Sequence, residues 1–285
     1  MQFLGTAAAD ALPGPFCSCK LCEDARQHTR NMRLRSMFLL DEKNLIDCGP
    51  DLVAACMKQR LNLSSLENIF ITHTHEDHFC ASNAGMLSMS KTRPNKSVDV
   101  FLSEAAYEKM VKLRETLGSE FSYLDAVTAF DKGLVRLHPV KTQTPFEAGG
   151  YRIMAVDTTH RVSEQETAIN YLFEKNGQKL IYACDTGFYP AETLRALSGS
   201  KVDVLVLEAT WGSRTDKSTA SHLNCSAFLQ MLDTLLDESI IRLDTKIFAT
   251  HINHKHDLTH DDMQAWFDAH SRFCITVAYD GLKIH

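Results

Sequence analysis

No apolar stretch in this sequence of 285 residues is long enough to cross a membrane, which takes about 20 residues in a helix. The chain has no excess of basic residues either, since 30 Lys and Arg stand against 36 Asp and Glu, for a net charge of -6. That balance disfavours a protein that binds nucleic acid through general basicity. The first ten residues lack the basic flank and long apolar run of a signal peptide, so we expect a cytoplasmic protein.

Repeats, low-complexity tracts and linkers of the Gly/Ser or Pro type are also missing. Hydrophobic residues make up 44% of the chain and charged residues 23%, close to the average of globular proteins. This composition excludes disordered and fibrous classes. The length is sufficient for one substantial core, and we expect residues 1–285 to form a single domain.

Short apolar segments alternate with helical patterns along the chain. Strands are predicted at residues 3–6, 36–40, 44–47, 68–72, 151–156, 180–184, 202–207, 247–250 and 275–278. Helices are predicted at 51–61, at 104–117 between an N-cap at Ser103 and Gly118, and at 227–236. Many strands with interspersed helices favour a layered α/β fold with helices outside the sheets.

The clearest chemical signal is the segment HTHEDH, residues 73–78, directly after a predicted strand. Alternate residues of an extended segment point the same way, so His73 and His75 can share one metal ion. Beyond a turn, Asp77 and His78 can face a second ion nearby. Imidazole and carboxylate suit Zn, Fe, Mn or Co. The alternative is a polar loop that is rich in histidine by chance.

Three further candidate ligands stand near other predicted strand ends. His160 follows the strand at 151–156 and a polar turn, while Asp185 and His251 follow the strands at 180–184 and 247–250. A lone residue at such a place is more often a surface or capping group. Their recurrence beside the segment 73–78 favours a metal centre instead.

This pattern resembles the metallo-β-lactamase superfamily over nearly the whole chain. The five motifs of that family match Asp47 in LIDCG, the segment 73–78, His160, Asp185 and His251. The resemblance implies an α/β fold of the four-layer αββα sandwich type. It also implies that Asp47 orients the ligands of the metal site.

The resemblance further assigns the ligands to two ions. One ion would be held by His73, His75 and His160. The other would be held by Asp77, His78 and His251, with Asp185 bridging both. The ions would be Zn, Mn or Fe, and a hydroxide bridging them would attack the substrate. Asp77 and Asp185 would then serve catalysis as well, because they lessen the positive charge of the pair.

Three of the nine cysteines crowd into CSCKLC, residues 17–22, which is too close a spacing for a disulfide framework. Cys17, Cys19 and Cys22 supply three soft ligands, and His254 can complete a closed tetrahedral zinc site. We therefore predict a zinc-binding loop near residues 13–24. The alternative is three reduced thiols without a metal. The other cysteines are predicted to be small core residues: Cys48, Cys56, Cys80, Cys184, Cys225 and Cys274.

The cysteine loop, together with FLGTAAADALP at residues 3–13 and AYDGL at residues 278–282, resembles the PhnP-type phosphoribosyl cyclic phosphodiesterases. These enzymes are related to tRNA 3′-processing endonucleases. The resemblance implies a metal-dependent phosphodiesterase acting on a small cyclic phosphodiester, such as a phosphoribosyl 1,2-cyclic phosphate, and leaves a homodimer open. Ala11 departs from the pattern, which has Gly there. Residues 85–150 match nothing beyond the ligand motifs and are expected to shape the substrate cleft.

His222 precedes the helix predicted at 227–236, whose start Ser221 or Asn224 can cap. Free N–H groups at such a helix start favour a phosphate oxygen. The resemblance implies that His222 contacts the phosphate or protonates the leaving oxygen. The alternative is a solvated histidine. The remaining histidines are predicted to lie on the surface: His28, His138, His256, His260, His270 and His285.

Four alternatives to a cyclic phosphodiesterase stay open. An RNA 3′-processing endonuclease would need an RNA-binding arm or basic surface, and the sequence shows no arm rich in Gly and Lys. The same ions could also hydrolyse a lactam, lactone or thioester. A non-catalytic metal-binding scaffold is disfavoured by the presence of all seven candidate ligands. A role in cofactor biosynthesis would follow from other relatives with a similar cysteine loop.

Overall fold

The computed structural model describes residues 1–86, 90–92, 96–117 and 133–284. Its strands form two sheets. The first sheet has the order β1-β2-β3-β4-β5-β6, antiparallel from β1 to β3 and parallel from β3 to β6. Its strands are β1 (Gln2–Gly5), β2 (Met37–Asp41), β3 (Asn44–Ile46), β4 (Asn68–Phe70), β5 (Val98–Ser103) and β6 (Val135–Val140).

The second sheet has seven strands in the order β13-β12-β11-β10-β9-β8-β7. It is antiparallel from β7 to β10 and parallel from β10 to β13. Its strands are β7 (Phe146–Ala148), β8 (Tyr151–Arg161), β9 (Thr167–Lys175), β10 (Gln178–Ala183), β11 (Val204–Glu208), β12 (Lys246–Thr250) and β13 (Ile275–Val277).

Helices cover the outer faces of both sheets. The described helices are α1 (Lys20–Gln27), α2 (Leu52–Gln59), α3 (Ser82–Gly85), α4 (Glu104–Leu117), α5 (Ala191–Leu197), α6 (Cys225–Asp237) and α7 (His260–His270). Ala55 of α2 and Ala106 of α4 belong to the apolar cluster on the first sheet. Phe228 of α6 and Phe267 of α7 belong to the cluster on the second sheet. None of the helices in the described ranges is both long and apolar enough to cross a membrane.

Aromatic side chains fill the layer between the two sheets. The Phe38 and Tyr182 rings lie 5.6 Å apart, and the Phe70 and Phe173 rings 5.2 Å apart, each pair joining the first sheet to the second. Strand alternation explains why the second sheet is apolar on both faces, because Tyr182 points into this layer while Ile181 points to the helices. The result is the four-layer αββα sandwich, which confirms the predicted fold class.

Most predicted elements are present with shifts of one or two residues. The Ser103 hydroxyl accepts a hydrogen bond from the Ala106 N–H at the start of α4, and Asn224 caps α6 by accepting from the Ala227 N–H. Gly118, the predicted end of α4, lies outside the described residues. So does part of the segment 85–150 that was expected to shape the substrate cleft.

Some predictions are wrong. His160 does not follow a turn but lies inside β8, which continues to Arg161 through an irregularity in its pairing with β9. His256 and His260 are buried at 4% and 6% exposure, and the His260 ring contacts the buried Arg33. Cys274 is exposed rather than in the core. His285 lies outside the described residues.

Candidate active site

The predicted ligands meet where strands of both sheets end. His73 and His75 follow β4 of the first sheet, and Asp185 and His251 follow β10 and β12 of the second. Parallel neighbouring strands bring their carboxyl ends to the same edge of a sheet, and the two packed sheets bring these edges together. His160 joins them from within β8. The structure therefore brings all seven predicted ligands of the dinuclear site into one cluster.

Three histidines form one half of the cluster. The Nε2 atom of His73 lies 3.0 Å from Nδ1 of His75, and Nε2 of His160 lies 3.2 Å from the same Nδ1. Burial, aided by neighbouring histidines, lowers the pKa of His73 well below its usual value. Burial also lowers the pKa of His160. These shifts favour the neutral form of the His73 and His160 rings, which is the form that binds a metal ion.

The second half is formed by Asp77, His78 and His251. Nε2 of His78 lies 3.2 Å from Oδ2 of Asp77 and 3.3 Å from Nε2 of His251. Burial disfavours a charge on His78, yet the carboxylates of Asp77, Asp185 and Asp47 together raise its pKa well above the usual value. The position thus favours a positive charge, which a metal ion supplies as well as a proton does.

Asp185 lies between the two halves. Its Oδ2 is 3.2 Å from Nε2 of His73 and 3.0 Å from Nε2 of His78, while its Oδ1 is 3.1 Å from Nε2 of His251. The Oδ1 atom is buried and accepts no hydrogen bond from the described residues. A buried carboxylate oxygen of this kind, facing several imidazole nitrogens, suits a metal ion. The cluster can therefore hold metal ions, and Asp185 occupies the place expected of a bridging ligand.

Strained backbone accompanies these residues. Asp47, Asp185 and His251 have φ angles of 60°, 57° and 56°, in the left-handed region that non-glycine residues rarely adopt. Each follows the end of a buried strand within two residues. Such strain persists where surrounding contacts determine the conformation, and it is concentrated at functional sites. The three residues with this backbone all belong to the cluster or contact one of its histidines.

Asp47 contacts His78 at the ring nitrogen that does not face the cluster. Its Oδ2 lies 2.7 Å from Nδ1 of His78, and its Oδ1 accepts from the Thr72 N–H at 2.8 Å. Because Nδ1 of His78 is engaged in this contact, its Nε2 is free to face the cluster. The contact is of the kind expected from the orienting role that the sequence resemblance implied for Asp47.

His222 covers the cluster on one side. Its ring stacks on that of His251 at 5.8 Å with an interplanar angle of 13°, and lies 4.7 Å from the ring of His160. Its Nδ1 is 2.9 Å from Oε1 of Glu208. Burial opposes protonation, but the Glu208 and Asp185 carboxylates raise the pKa of His222 to about 9. The ring is only partly exposed and is therefore not a solvated histidine.

Glu208 was not predicted as a site residue. It is fully buried at the end of β11, where its Oε2 accepts from the N–H groups of Thr210 and Leu223 at 3.1 and 3.2 Å. These bonds fix the carboxylate that positions His222. The signal in the sequence is an acidic residue that ends the apolar run VLVLE, residues 204–208.

The predicted structural zinc ligands also converge. One atom each from Cys17, Cys19, Cys22 and His254 lies within 4.8 Å of the others, and Sγ of Cys19 is 3.6 Å from Nδ1 of His254. Three thiols and one imidazole are a donor set of structural zinc sites. Cys184, by contrast, is a buried thiol beside the second half of the cluster, and burial raises its pKa well above the usual value.

Comparison with known families identifies the superfamily to which this fold and this cluster of side chains belong. A family model described as "Beta-lactamase superfamily domain" matches residues 43–262, a range that contains all seven ligands of the cluster as well as His222. The chain therefore belongs to the metallo-β-lactamase superfamily. It has both the fold and the clustered histidine and aspartate side chains of the metal-dependent hydrolases in that superfamily.

Several relatives are ribonucleases Z. That of Thermoplasma volcanium is 39% identical over 61 residues, 21% of this chain and 20% of its own length. That of Listeria monocytogenes serotype 4a is 25% identical over 268 residues, covering 80% of this chain and 85% of its own length. The matches to the first relatives thus span a fifth to two fifths of their lengths.

Solved structures share the fold along the whole chain. A diphosphatase from the PhnP family has a TM-score of 0.74 and 22% identity, covering 100% of this chain and 96% of its own. Zn(2+)-bound PqqB from Methylobacterium extorquens has a TM-score of 0.69 and 18% identity, covering 99% and 98%. Human tRNase Z, short form, has a TM-score of 0.64 and 17% identity, covering 99% of this chain and 96% of its own. At these identities the similarity establishes the fold.

Proposed function

We propose that the protein is a dinuclear metal-dependent phosphodiesterase that hydrolyses a small cyclic phosphodiester, such as a phosphoribosyl 1,2-cyclic phosphate. The observation that carries the proposal is the position of Asp185, whose two oxygens contact histidines of both halves of the cluster. His222 lies over the same cluster, held by Glu208. Similarity to a PhnP-family diphosphatase and to ribonucleases Z supports phosphate ester chemistry.

The residues fit two divalent ions, for which zinc, manganese and iron are all suited by the donor set. His73, His75 and His160 would hold one ion, and Asp77, His78 and His251 the other, with Asp185 shared. When bound, the ions supply a hydroxide nucleophile at neutral pH and neutralise charge on the phosphoryl oxygens. The cysteine loop and His254 would hold a third, structural zinc ion.

His222 acts on the leaving oxygen. Glu208 engages Nδ1 of the ring, which leaves Nε2 as the atom that donates a proton to the departing alkoxide. A pKa of about 9 keeps that proton in place at neutral pH. Asp77 and Asp185 remain ionised, because nearby histidines hold the pKa of each carboxyl below its usual range in spite of burial.

RNA 3′-end processing is the second candidate. The observation in its favour is the ribonuclease Z of Listeria monocytogenes, which is similar along 80% of this chain. The net charge of -6 speaks against it, because RNA binding relies on basic surfaces that neutralise phosphates. A small substrate needs no such surface, so the charge favours the cyclic phosphodiester.

The test is hydrolysis of bis(p-nitrophenyl) phosphate by protein stripped of metal and then reconstituted separately with manganese and zinc. A p-nitrophenyl carboxylic ester and a lactam serve as parallel substrates, and His160→Ala removes one ligand as a control. We expect metal-dependent turnover of the phosphodiester alone, lost in His160→Ala. Turnover of only the acyl substrates, or none with a full metal content, would overturn the proposal.

A second step separates the two phosphodiesterase candidates. Protein active on bis(p-nitrophenyl) phosphate is offered a ribose 1,2-cyclic phosphate and, separately, a precursor tRNA with a 3′ trailer. We expect opening of the cyclic phosphate to a monoester and no cleavage of the RNA. Cleavage of the precursor tRNA without ring opening would assign the protein to RNA processing instead.

A further inference from the structure

A buried carboxylate outside the metal cluster holds part of it in place. Glu166 belongs to the turn between β8 and β9 and is 2% exposed. The turn is closed by its own backbone, since the Glu166 carbonyl accepts from the N–H groups of Val162 and Ser163 at 2.9 and 3.1 Å. The Glu166 N–H in turn donates to the Ser163 hydroxyl. The carboxylate therefore projects from a fixed base.

The Glu166 carboxylate contacts the residue between two of the histidines. Its Oε1 accepts from the Thr74 N–H at 2.8 Å, and its Oε2 accepts from the Thr74 hydroxyl. Thr74 stands between His73 and His75, so these two bonds hold the backbone from which both imidazoles project. Hydrogen bonds to a charged carboxylate are among the stronger ones in proteins.

The same turn begins one residue after the third histidine. His160 lies in β8, which ends at Arg161, and Arg161 pairs with Thr167 across the turn. Glu166 thus joins the segment of His73 and His75 to the segment of His160. The three nitrogens of one half of the cluster come from these two segments, whereas Asp47 contacts His78 of the other half.

Lys109 of α4 contacts both Thr74 and Glu166. Nζ of Lys109 in α4 donates to the Thr74 hydroxyl at 2.6 Å and lies 3.4 Å from Oε2 of Glu166. Because the lysine donates to that hydroxyl, the hydroxyl proton is directed to Glu166. The lysine also balances the charge of this buried carboxylate.

We propose that Glu166 is a positioning residue that sets the affinity of the three-histidine half for its ion. The inference rests on the metal centre of the proposed function. The segment of His73 and His75 and the segment of His160 must both be ordered before their nitrogens can bind one ion. Without Glu166 the free energy of that ordering would be paid on metal binding, which would weaken the affinity for the ion. A carboxylate with only a general structural role would lower stability without weakening one ion selectively.

The test is metal binding rather than activity. Apo-protein is titrated with zinc in competition with a chromogenic chelator, for the wild type, Glu166→Gln and His160→Ala. The last variant identifies which binding step belongs to the three-histidine half. Glu164→Gln is the matched control, because Glu164 is an exposed acid in the same turn. We expect Glu166→Gln to weaken that step about tenfold, the lower range for outer partners of metal ligands, and to leave the others unchanged.

The outcomes separate the two hypotheses. If the wild type and His160→Ala bind the same number of ions with the same affinities, the three-histidine half binds no ion and the proposed metal centre is wrong. If His160→Ala does lose a binding step, Glu166→Gln decides the positioning role. Wild-type affinity at that step in Glu166→Gln, or an equal loss of all ions, would overturn the role. Should Glu166→Gln not fold, Lys109→Met replaces it in the test. The Lys109 side chain is half exposed, so this change disturbs the core less. We then expect the same step to weaken, and unchanged binding would overturn the inference.

Discussion

At the scale of single residues, replacement of His222 tests catalysis separately from metal binding. Its ring contacts those of His160 and His251 but is not among the seven ligands of the cluster. We expect His222→Ala to lower turnover of a phosphodiester by about 10²–10⁴-fold, the usual contribution of a general acid. Metal content, measured by atomic emission spectrometry, should stay near that of the wild type.

The matched control is His28→Ala, which removes an exposed histidine whose ring contacts Asp24 on the surface. It should leave both turnover and metal content unchanged. Wild-type turnover in His222→Ala would remove the histidine from the mechanism. Loss of metal together with turnover would instead make it part of the ligand set.

At this scale the sequence identifies the candidate ligands that the fold brings into one cluster, and Asp47 beside them, but it misses Glu208 and Glu166. The segment 73–78 concentrates four metal-binding side chains in six positions, so chance is a poor explanation. Glu208 and Glu166 are two acids among 36 Asp and Glu, with no unusual spacing. Their roles arise from contacts with His222 and Thr74, which are distant in sequence and meet only in the folded chain.

At the scale of elements, the cysteine loop is fixed to the far end of the chain. Cys17, Cys19 and Cys22 meet His254 on the loop after β12. We expect Cys19→Ser to lose one equivalent of zinc and to lower the melting temperature, by about 2–4 °C for each kcal/mol lost. Turnover per molecule with a filled dinuclear site should change much less, because the loop supplies none of its seven ligands.

Cys274→Ser is the control for this variant, because Cys274 is exposed and outside the cysteine group. It should keep the zinc content and melting temperature of the wild type. A Cys19→Ser protein with full zinc content and an unchanged melting temperature would show that the loop binds no structural ion.

Strand positions are predictable because burial on both faces leaves continuous apolar runs, as in LIYA before Cys184. The exact end of a strand is less predictable where polar residues continue it. His160 lies in such a polar continuation, where β8 remains paired with β9 past an irregularity between Asp157 and Arg161. The sequence indicates a turn there, whereas pairing with the neighbouring strand keeps the backbone extended.

At the scale of the whole molecule, Arg33 ties the beginning of the chain to its end. The guanidinium is 3% exposed and donates to the Thr6 hydroxyl, the Ala278 carbonyl and Nδ1 of His260. Asp280 accepts from the same Thr6 hydroxyl and compensates the buried charge. A histidine that accepts from a buried arginine must remain neutral, so this contact makes the stability of the fold sensitive to acid.

The sign of that effect follows from His260. Burial, aided by Arg33, lowers its pKa to about 4, whereas an unfolded histidine has a pKa of about 6.5. Between these values the unfolded chain binds more protons, so the free energy of unfolding falls as pH decreases from about 6.5 to about 4. One such group contributes at most about 1.4 kcal/mol per pH unit. Above about pH 6.5 the contribution is complete and constant.

His260→Asn keeps an oxygen that can accept from Arg33 but does not titrate. We therefore expect urea unfolding at pH values of about 7, 6 and 5 to show a weaker loss of stability in this variant than in the wild type. The loss should not vanish, because burial also lowers the pKa of His256 to about 4. His270→Asn, an exposed change on the same helix, should keep the wild-type slope. Equal slopes in His260→Asn and the wild type would mean that protonation of His260 does not limit acid stability.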